Sequence, residues 1–364
     1  MRIALIEAFF SGSHKKWALE LQSFTSHTID IYSLSGNYWK WRMHGGAITL
    51  ANKFLEKGKK YDLIITTDMM DVALFKSLII HKYADIPIAV YFHENQLCYP
   101  WSENDRDVKN NRDSHYAFIN FSSALVSDRI FFNSHFHKNI FLNSLPNFLK
   151  GFPDHNEISS IEKIAEKSQV LHLGLDLIKF DKHKCKLNSK PLILWNHRWE
   201  YDKNPIDFFE ALYRMQEENL DFKVVVLGEN FRKVPAEFEI AKDRLKEKII
   251  YMGYADSFKD YAEWLWKANI LPVTSNQDFF GGSVVEAIYC NCFPLLPNRL
   301  AYPEHLPVSD DMFFNNFEEL CVRLKNLIIN FQDMNNVSRY IRKYDWNILI
   351  DKYDKEFMEI KKLY

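Results

Sequence analysis

The sequence predicts an α/β protein built of two successive, doubly wound parallel-sheet domains. Short, nearly continuous apolar runs alternate with helical segments from end to end. The alternation restarts after a lysine-rich polar stretch at residues 179–190, and 364 residues exceed one ordinary core. Unbroken apolar runs are the mark of strands covered by helices on both faces.

In the first half, residues 3–7, 28–33, 61–66, 88–92, 129–133 and 170–173 read as strands, and 15–21, 46–57, 71–82 and 157–166 as helices. In the second half the strands are 192–195, 223–227, 249–252, 270–274 and 293–296, with helices at 205–217, 260–267 and 283–289. The expected domains are 1–177 and 178–345, with a last helix in 346–364 crossing back onto the first. Two Rossmann-like sheets bind ligands at the carboxyl ends of their strands, and a cleft between them is the expected active site.

Hydrophobic content of 47% and charged content of 26% describe a soluble globular chain. A net charge of −2 excludes a global polyanion-binding surface, so any nucleic acid must meet a local patch. No run approaches the roughly 18–20 apolar residues of a membrane span. Met1-Arg2-Ile3-Ala4 leads straight into a strand without a signal-peptide pattern, so the cytoplasm is the expected compartment. The five cysteines are scattered apart from Cys290 and Cys292, a poor zinc pattern, and reduced thiols are expected.

The most informative stretch is Asp278-Phe279-Phe280-Gly281-Gly282-Ser283-Val284-Val285-Glu286, between an apolar strand and a helix. Gly281 and Gly282 permit a tight turn and close ligand approach. Ser283 is expected to cap the helix, whose N–H groups would then hold an anion such as a phosphate. The flanking carboxylates repel phosphate and suit sugar hydroxyls, which together describe a nucleotide-sugar site. Such a junction also arises without function in many α/β proteins.

A second signal is Trp195-Asn196-His197-Arg198-Trp199-Glu200-Tyr201-Asp202-Lys203-Asn204-Pro205. Arg198 and Lys203, just before a helix, can clamp a diphosphate and neutralise its charge as it leaves. The competing reading is an exposed basic loop paired with Glu200 and Asp202.

Arg198-x4-Lys203 followed by Asp278-x7-Glu286 resembles the retaining glycosyltransferases of family 4, which have the GT-B fold of two Rossmann-like domains facing a central cleft. The Gly228-Glu229 and Gly253-Tyr254 turns and Leu173-Gly174-Leu175-Asp176 match as well. The resemblance implies that Arg198 and Lys203 bind the donor diphosphate, Asp278 contacts the sugar and Glu286 binds the ribose. Asp278 departs from the glutamate of most members and reaches one methylene less. Gly228, Gly281, Gly282, Ser283, Gly12 and Ser13 complete the expected donor side. Neither a metal nor another cofactor is required by this resemblance, in which the departing phosphate takes the acceptor proton.

His93-Glu94-Asn95-Gln96-Leu97-Cys98-Tyr99-Pro100, Trp39-Lys40-Trp41-Arg42-Met43, Ser11-Gly12-Ser13-His14-Lys15 and Phe279-Phe280-Gly281 resemble, more narrowly, the tRNA-queuosine mannosyltransferase family. That resemblance implies transfer of mannose from GDP-mannose to queuosine at the wobble position of a tRNA. His93 is the expected catalytic or hexose-contacting group of the first domain, with a backbone-satisfied structural histidine as the alternative. His14 and Lys15 are expected at the cleft edge. Glu94, Asn95 and Gln96 either orient acceptor hydroxyls or cap a turn. Trp39, Lys40, Trp41 and Arg42 pair aromatic faces with cations, as unstacked RNA bases and phosphates require. They also read as an amphipathic edge strand with its tryptophans in the core. A polar segment at 101–120, with Asp107, Tyr116 and Asn120, is placed to fold over the acceptor.

The expected partners are a nucleotide sugar and a queuosine-containing tRNA, with the protein a monomer. One alternative is a family 4 enzyme acting on a lipid or polysaccharide. Another is a non-catalytic nucleotide-sugar or RNA-binding protein. No residue distinguishes guanine from uracil, and the mannose rests on the family.

Overall fold

The computed structural model describes residues 1–101, 105–109, 114–185, 190–229, 235–309 and 311–362. Parts of the expected connection at 179–190 and of the polar segment at 101–120 therefore lie outside the described residues. The chain divides into two units, Met1–Gly174 with Trp346–Tyr364, and Leu175–Asp345.

The first unit runs β1 (Arg2–Phe10), α1 (Gly12–Phe24), β2 (Thr28–Ser35), α2 (Trp39–Lys57), β3 (Leu63–Thr67), α3 (Val72–Tyr83) and β4 (Ile88–Phe92). It continues with α4 (Arg106–Lys109), α5 (Ser114–Val126), β5 (Arg129–Phe132), α6 (His135–Lys150), α7 (Ser160–Glu166) and β6 (Ser168–Val170). Its parallel sheet has the order β2-β1-β3-β4-β5-β6. The chain steps from β1 outward to β2 and then back across to β3, so the strand order reverses between β1 and β3. The loops after these strands open at such a switch point, where α/β sheets bind ligands. Ile64, Val90 and Ile130 of the sheet pack with Leu50, Phe54, Phe75 and Phe141 of the helices.

The second unit runs β7 (Leu192–Trp195), α8 (Pro205–Glu217), β8 (Lys223–Leu227), α9 (Ala236–Arg244), β9 (Ile249–Gly253) and α10 (Phe258–Lys267). Then follow β10 (Ile270–Pro272), α11 (Gly282–Tyr289), β11 (Phe293–Pro297), β12 (Phe313–Phe314) and α12 (Phe317–Ile329). The parallel order is β12-β11-β10-β7-β8-β9, with the reversal between β7 and β10. The loops that carry Arg198 and Asp278 leave these two adjacent strands.

Local chemistry sets the helix starts. Asp71, Ser134, Ser257 and Asn316 each accept a backbone N–H three residues on, as N-caps do. Asn204 caps α8 in the left-handed region, with Pro205 at its first position.

Two expectations change, and one helix is added. The helix expected from residue 46 begins at Trp39, so Trp39–Arg42 form its first turn and are not an edge strand. Gly45 and Gly46 do not break it: a Cβ on Gly46 would lie 3.3 Å from that of Ala8, so this glycine lets the helix sit close against β1. α6, for which no helix was expected, carries Pro146 inside it although proline ordinarily ends a helix. The segment expected at 170–173 pairs earlier, as β6.

The C-terminal helix α13 (Trp346–Lys361) belongs to the first unit. Fully buried Trp346 donates its indole N–H to Glu20 at 2.9 Å, and Tyr353 donates its hydroxyl to the His172 carbonyl at 2.8 Å. The indole also lies flat on Gly174, leaving no room there for a Cβ. Gly174→Ala is therefore expected to cost about 1–3 kcal/mol by overpacking. Chemical denaturation followed by tryptophan fluorescence checks this, and an unchanged midpoint would show that the contact does not anchor the helix.

Candidate active site

The second unit concentrates its charged groups where β7 and β10 end. After Trp195 the chain crosses Asn196 to Glu200, makes a short 3-10 turn at Tyr201–Lys203 and enters α8. That turn carries Lys203 inward. Its Nζ donates to the Gln277 carbonyl at 2.6 Å and to Asp278 Oδ1 at 3.1 Å, with Asp202 Oδ2 at 3.2 Å. Burial works against the ammonium, yet Asp278 and Asp202 outweigh it and hold its pKa above the ordinary lysine value. Backbone bonds tie the two loops further: Asn276 N–H donates to the Asp202 carbonyl at 2.8 Å, and the Thr274 hydroxyl donates to those of Lys203 and Asn204.

Asp278 spends both oxygens inside the protein. Oδ1 faces Lys203, and Oδ2 accepts from the Tyr302 hydroxyl at 2.5 Å. Burial pushes its pKa up, and Lys203, His197 and Tyr302 together bring it below the usual carboxylate range. Arg198 differs, with a side chain 46% exposed and within 3.4 Å of Glu200 and 3.8 Å of Asp202. The acid pairing expected as the alternative is therefore present, while Lys203 is a buried group and not a surface charge.

Gly281, at φ 81°, is the residue that caps α11, and Gly282 is its first residue. The expected cap, Ser283, lies inside the first turn. Its hydroxyl meets Nδ1 of buried His197 at 3.2 Å, and its carbonyl accepts from Asn196 Nδ2 at 2.8 Å. The carbonyl of Gly281 accepts from Val284 and Val285, so the N–H groups of Gly282 and Ser283 precede the helix's own bonding pattern and stand at its positive end. Burial lowers the His197 pKa to about 4, so the group beside this turn is a neutral imidazole. Glu286, buried one turn further on, accepts from the Tyr261 hydroxyl at 2.8 Å. Gly228, at φ 150°, lets the end of β8 pass close to the His197 carbonyl, where a Cβ would collide.

The first unit has its own buried polar cluster after β1, β3 and β4. Glu7, in the middle of apolar β1, accepts from Phe9 N–H at 2.7 Å and pairs with His14 Nδ1 at 3.1 Å. The expected cleft-edge histidine is thus an interior group: His14 is buried, and its ring lies 4.2 Å from that of His93. Burial disfavours the imidazolium, but Glu7, with Asp68 and Glu94, raises the His14 pKa to about 9. His93 moves the opposite way, well below the ordinary histidine value, through burial and then the nearby charge of His14. The His93 backbone is fully engaged, its N–H donating to Asp68 Oδ1 at 2.8 Å and its carbonyl accepting from Asn133 Nδ2 at 2.8 Å. Its side-chain Nε2 is buried with no hydrogen-bond partner among the described residues. Burial raises the Asp68 carboxyl pKa. Glu7, His14 and His93 each bring one ligand atom within 4.8 Å of the others, so this is also the place where the unit could hold a metal ion.

Around this cluster the remaining residues separate. Gly12, Ser13 and Lys15 are exposed at the start of α1. Asn95 Oδ1 accepts from Leu97 and Cys98 N–H, the turn-capping alternative, while Gln96 donates its N–H to Asn120 and its side-chain amide to Glu94. Trp39 packs with Trp101, Tyr116 and Met43, and Lys40 pairs with Asp105 and Asp107. Trp41 alone of the two tryptophans is exposed, at 63%, and Arg42 donates to the Ser35 carbonyl and hydroxyl. Asn120 and Tyr116 are buried in α5, so that helix is built into the unit.

Sequence reasoning missed Glu7, Asp68, His197, Tyr261 and Tyr302. Glu7 had a signal, a carboxylate within an otherwise apolar strand. The tyrosines had none, because each reaches an acid more than twenty residues away.

Comparisons with known proteins extend this geometry. Residues 2–175 match the family described as tRNA-queuosine alpha-mannosyltransferase N-terminal, and residues 178–306 match glycosyl transferases group 1. The tRNA-queuosine alpha-mannosyltransferase of Drosophila melanogaster is 33% identical over 334 residues, covering 89% of this chain and 86% of the relative. Sucrose-phosphate synthase from Thermosynechococcus elongatus superposes with a TM-score of 0.73 at 11% identity, covering 100% of both chains. Anabaena HepE in complex with UDP superposes at 0.67 and 13% identity, covering 99% of this chain and 100% of its own. At those identities the structures show the fold alone, which is GT-B. The match along most of the sequence shows more: the chain belongs to the tRNA-queuosine alpha-mannosyltransferase family of glycosyltransferases.

Proposed function

We propose that this protein is a retaining hexosyltransferase that moves mannose from GDP-mannose to the queuosine of a tRNA. The observation that carries the reading is the set gathered at the β7–β10 switch point: Arg198, buried Lys203, the start of α11 and Glu286. A nucleotide diphosphate needs cations and N–H groups at its phosphates and an acceptor at its ribose, and these residues offer both. The kinship with the Drosophila enzyme supports queuosine and mannose as acceptor and sugar.

In the proposed reaction the bond between the anomeric carbon and the diphosphate oxygen breaks, and the acceptor hydroxyl forms a new bond on the same face. The departing phosphate oxygen takes the hydroxyl proton. Arg198, with Lys203 behind it, and the N–H groups of Gly282 and Ser283 stabilise the charge that grows on the diphosphate. Asp278 holds Lys203 in place, and Glu286, held by Tyr261, receives the ribose hydroxyls. His93 is the proposed partner of a substrate hydroxyl in the first unit, as a neutral imidazole with an unspent Nε2. The reading requires no metal ion, because the chain supplies these cations itself.

Weighing the nucleosides after incubation with queuosine-containing and queuosine-lacking tRNA and a panel of nucleotide sugars tests the reading. A hexose gain is expected only with queuosine and GDP-mannose, and transfer to a lipid or polysaccharide instead would overturn it. Arg198→Ala is expected to lower kcat by about 10²–10³ with melting unchanged, since the side chain is half exposed. Lys203→Ala is expected to lose activity and also about 3–5 kcal/mol of stability, because Asp278 would be left without its cation, while Asp202 would keep Arg198 at 3.8 Å. Full activity in either variant would remove the diphosphate clamp.

The His14 pair generates a pH dependence. Its folded pKa of about 9 lies above the ordinary value of about 6.5, so its stabilisation is complete below pH ~6.5 and is lost as pH rises through about 9. Denaturation midpoints between pH 6 and 10 should fall across that window and do so less steeply in His14→Gln. Equal slopes would show that His14 is not the titrating group.

A further inference from the structure

We propose that the groove between α2 and the edge strand β2 is a track for the phosphate backbone of an RNA, leading to a stacking face on Trp41. This rests on the tRNA reading above and names the surface that reading requires. β2 is the outer strand of the first sheet, and a groove of about 340 Å³ runs along it, lined by Ile31, Tyr32, Ser33, Lys53, Glu56 and Lys57.

Several cations of the unit are matched by acids. Lys40 pairs with Asp105 and Asp107, Lys59 with Asp30, and Lys76 with Asp128. Among the described residues, Arg42, Lys53 and Lys57 have no carboxylate within ion-pair distance. Arg42 donates to Ser35 and Lys53 to the Ser33 carbonyl at 3.3 Å, while the Lys57 ammonium lies 4.7 Å from the centre of the Tyr32 ring. Steps of eleven and four residues put all three on one face of α2, about 16 Å and 6 Å apart along its axis. Glu56 lies beside them and leaves the row net positive. On a chain of net charge −2, a line of cations not neutralised by carboxylates among the described residues is the local footprint a polyanion needs.

The row ends at two exposed aromatics. Tyr38 is 80% exposed and held at φ 58°, an unusual conformation for a bulky residue. Trp41 is fixed by Gly45: a Cβ there would lie 2.6 Å from the indole, so the ring rests flat on the helix and keeps its outer face open. A rigid exposed indole beside a cationic row suits an unstacked base and its phosphates.

The test measures binding of queuosine-containing tRNA to the full chain as a function of salt, together with kcat/KM for transfer. Lys53→Ala/Lys57→Ala is expected to weaken binding on the order of 10-fold and to reduce the slope of log K against log salt by roughly 1.4–1.8. Melting and nucleotide-sugar binding should not change, and Lys53→Arg/Lys57→Arg should restore both affinity and slope. Trp41→Ala should weaken binding without altering the slope. Unchanged affinity and slope in the double alanine variant, alongside active wild type, would overturn the track while leaving the function standing. Loss of binding only to phosphatidylserine vesicles would likewise overturn it, in favour of a membrane surface. Failure of the wild type to bind or modify tRNA would overturn both readings.

Discussion

A charge taken out of water has to carry its counter-charge with it, and the geometry where β7 and β10 end depends on that constraint at Lys203. The ammonium is buried among Asp202, Asp278 and the Gln277 carbonyl. Asp202 comes from the loop after β7 and Asp278 from the loop after β10. Satisfying one cation therefore joins the two strand ends between which the sheet order reverses. The start of α11 follows from that junction: Gly281 turns the chain, and Asn196 and His197 hold the first helical turn by the carbonyl and hydroxyl of Ser283. The positive end of the helix is thus positioned by contacts within the protein itself.

The first unit meets the same constraint with a histidine, His14, in place of a lysine. Glu7 is fully buried and His14 nearly so, and each compensates the other. Burial makes a second positive imidazole at His93 unfavourable, and the positive His14 beside it acts in the same direction. Two adjacent histidines thus hold opposite protonation states, one a structural cation and one neutral with its Nε2 unspent. The pair differs from Lys203 in kind. Lys203 keeps its charge across any working pH, whereas His14 holds its proton only while Glu7 remains its partner.

The surface follows a different logic, because exposed charges gain little from pairing. Lys40, Lys59 and Arg2 nevertheless pair with acids, and the row on α2 does not. Trp39 and Trp41 divide in the same way: one closes a small core with Tyr116 and Met43, and the other lies open over Gly45. Two tryptophans separated by one residue acquired different roles because positions two apart on a helix face about 200° apart.

The sequence by itself determined the alternation of strands and helices, the two parallel sheets and the family, because these reside in local periodicity and contiguous motifs. The Arg198–Lys203 and Asp278–Glu286 segments were legible for that reason, as were most strand positions. Only the tertiary structure decided what those residues touch. It placed Asp278 as a counter-ion of Lys203, moved the cap of α11 from Ser283 to Gly281, and buried His14 against Glu7. It also added Tyr261 and Tyr302, whose hydroxyls hold the two acids. Each of these depends on a partner distant in the chain or on a backbone angle that a motif does not carry. Helix α6 stayed hidden for the converse reason: Pro146 is a local stop signal that tertiary packing overrode. Local pattern specifies which elements form, and burial then decides which polar groups must meet.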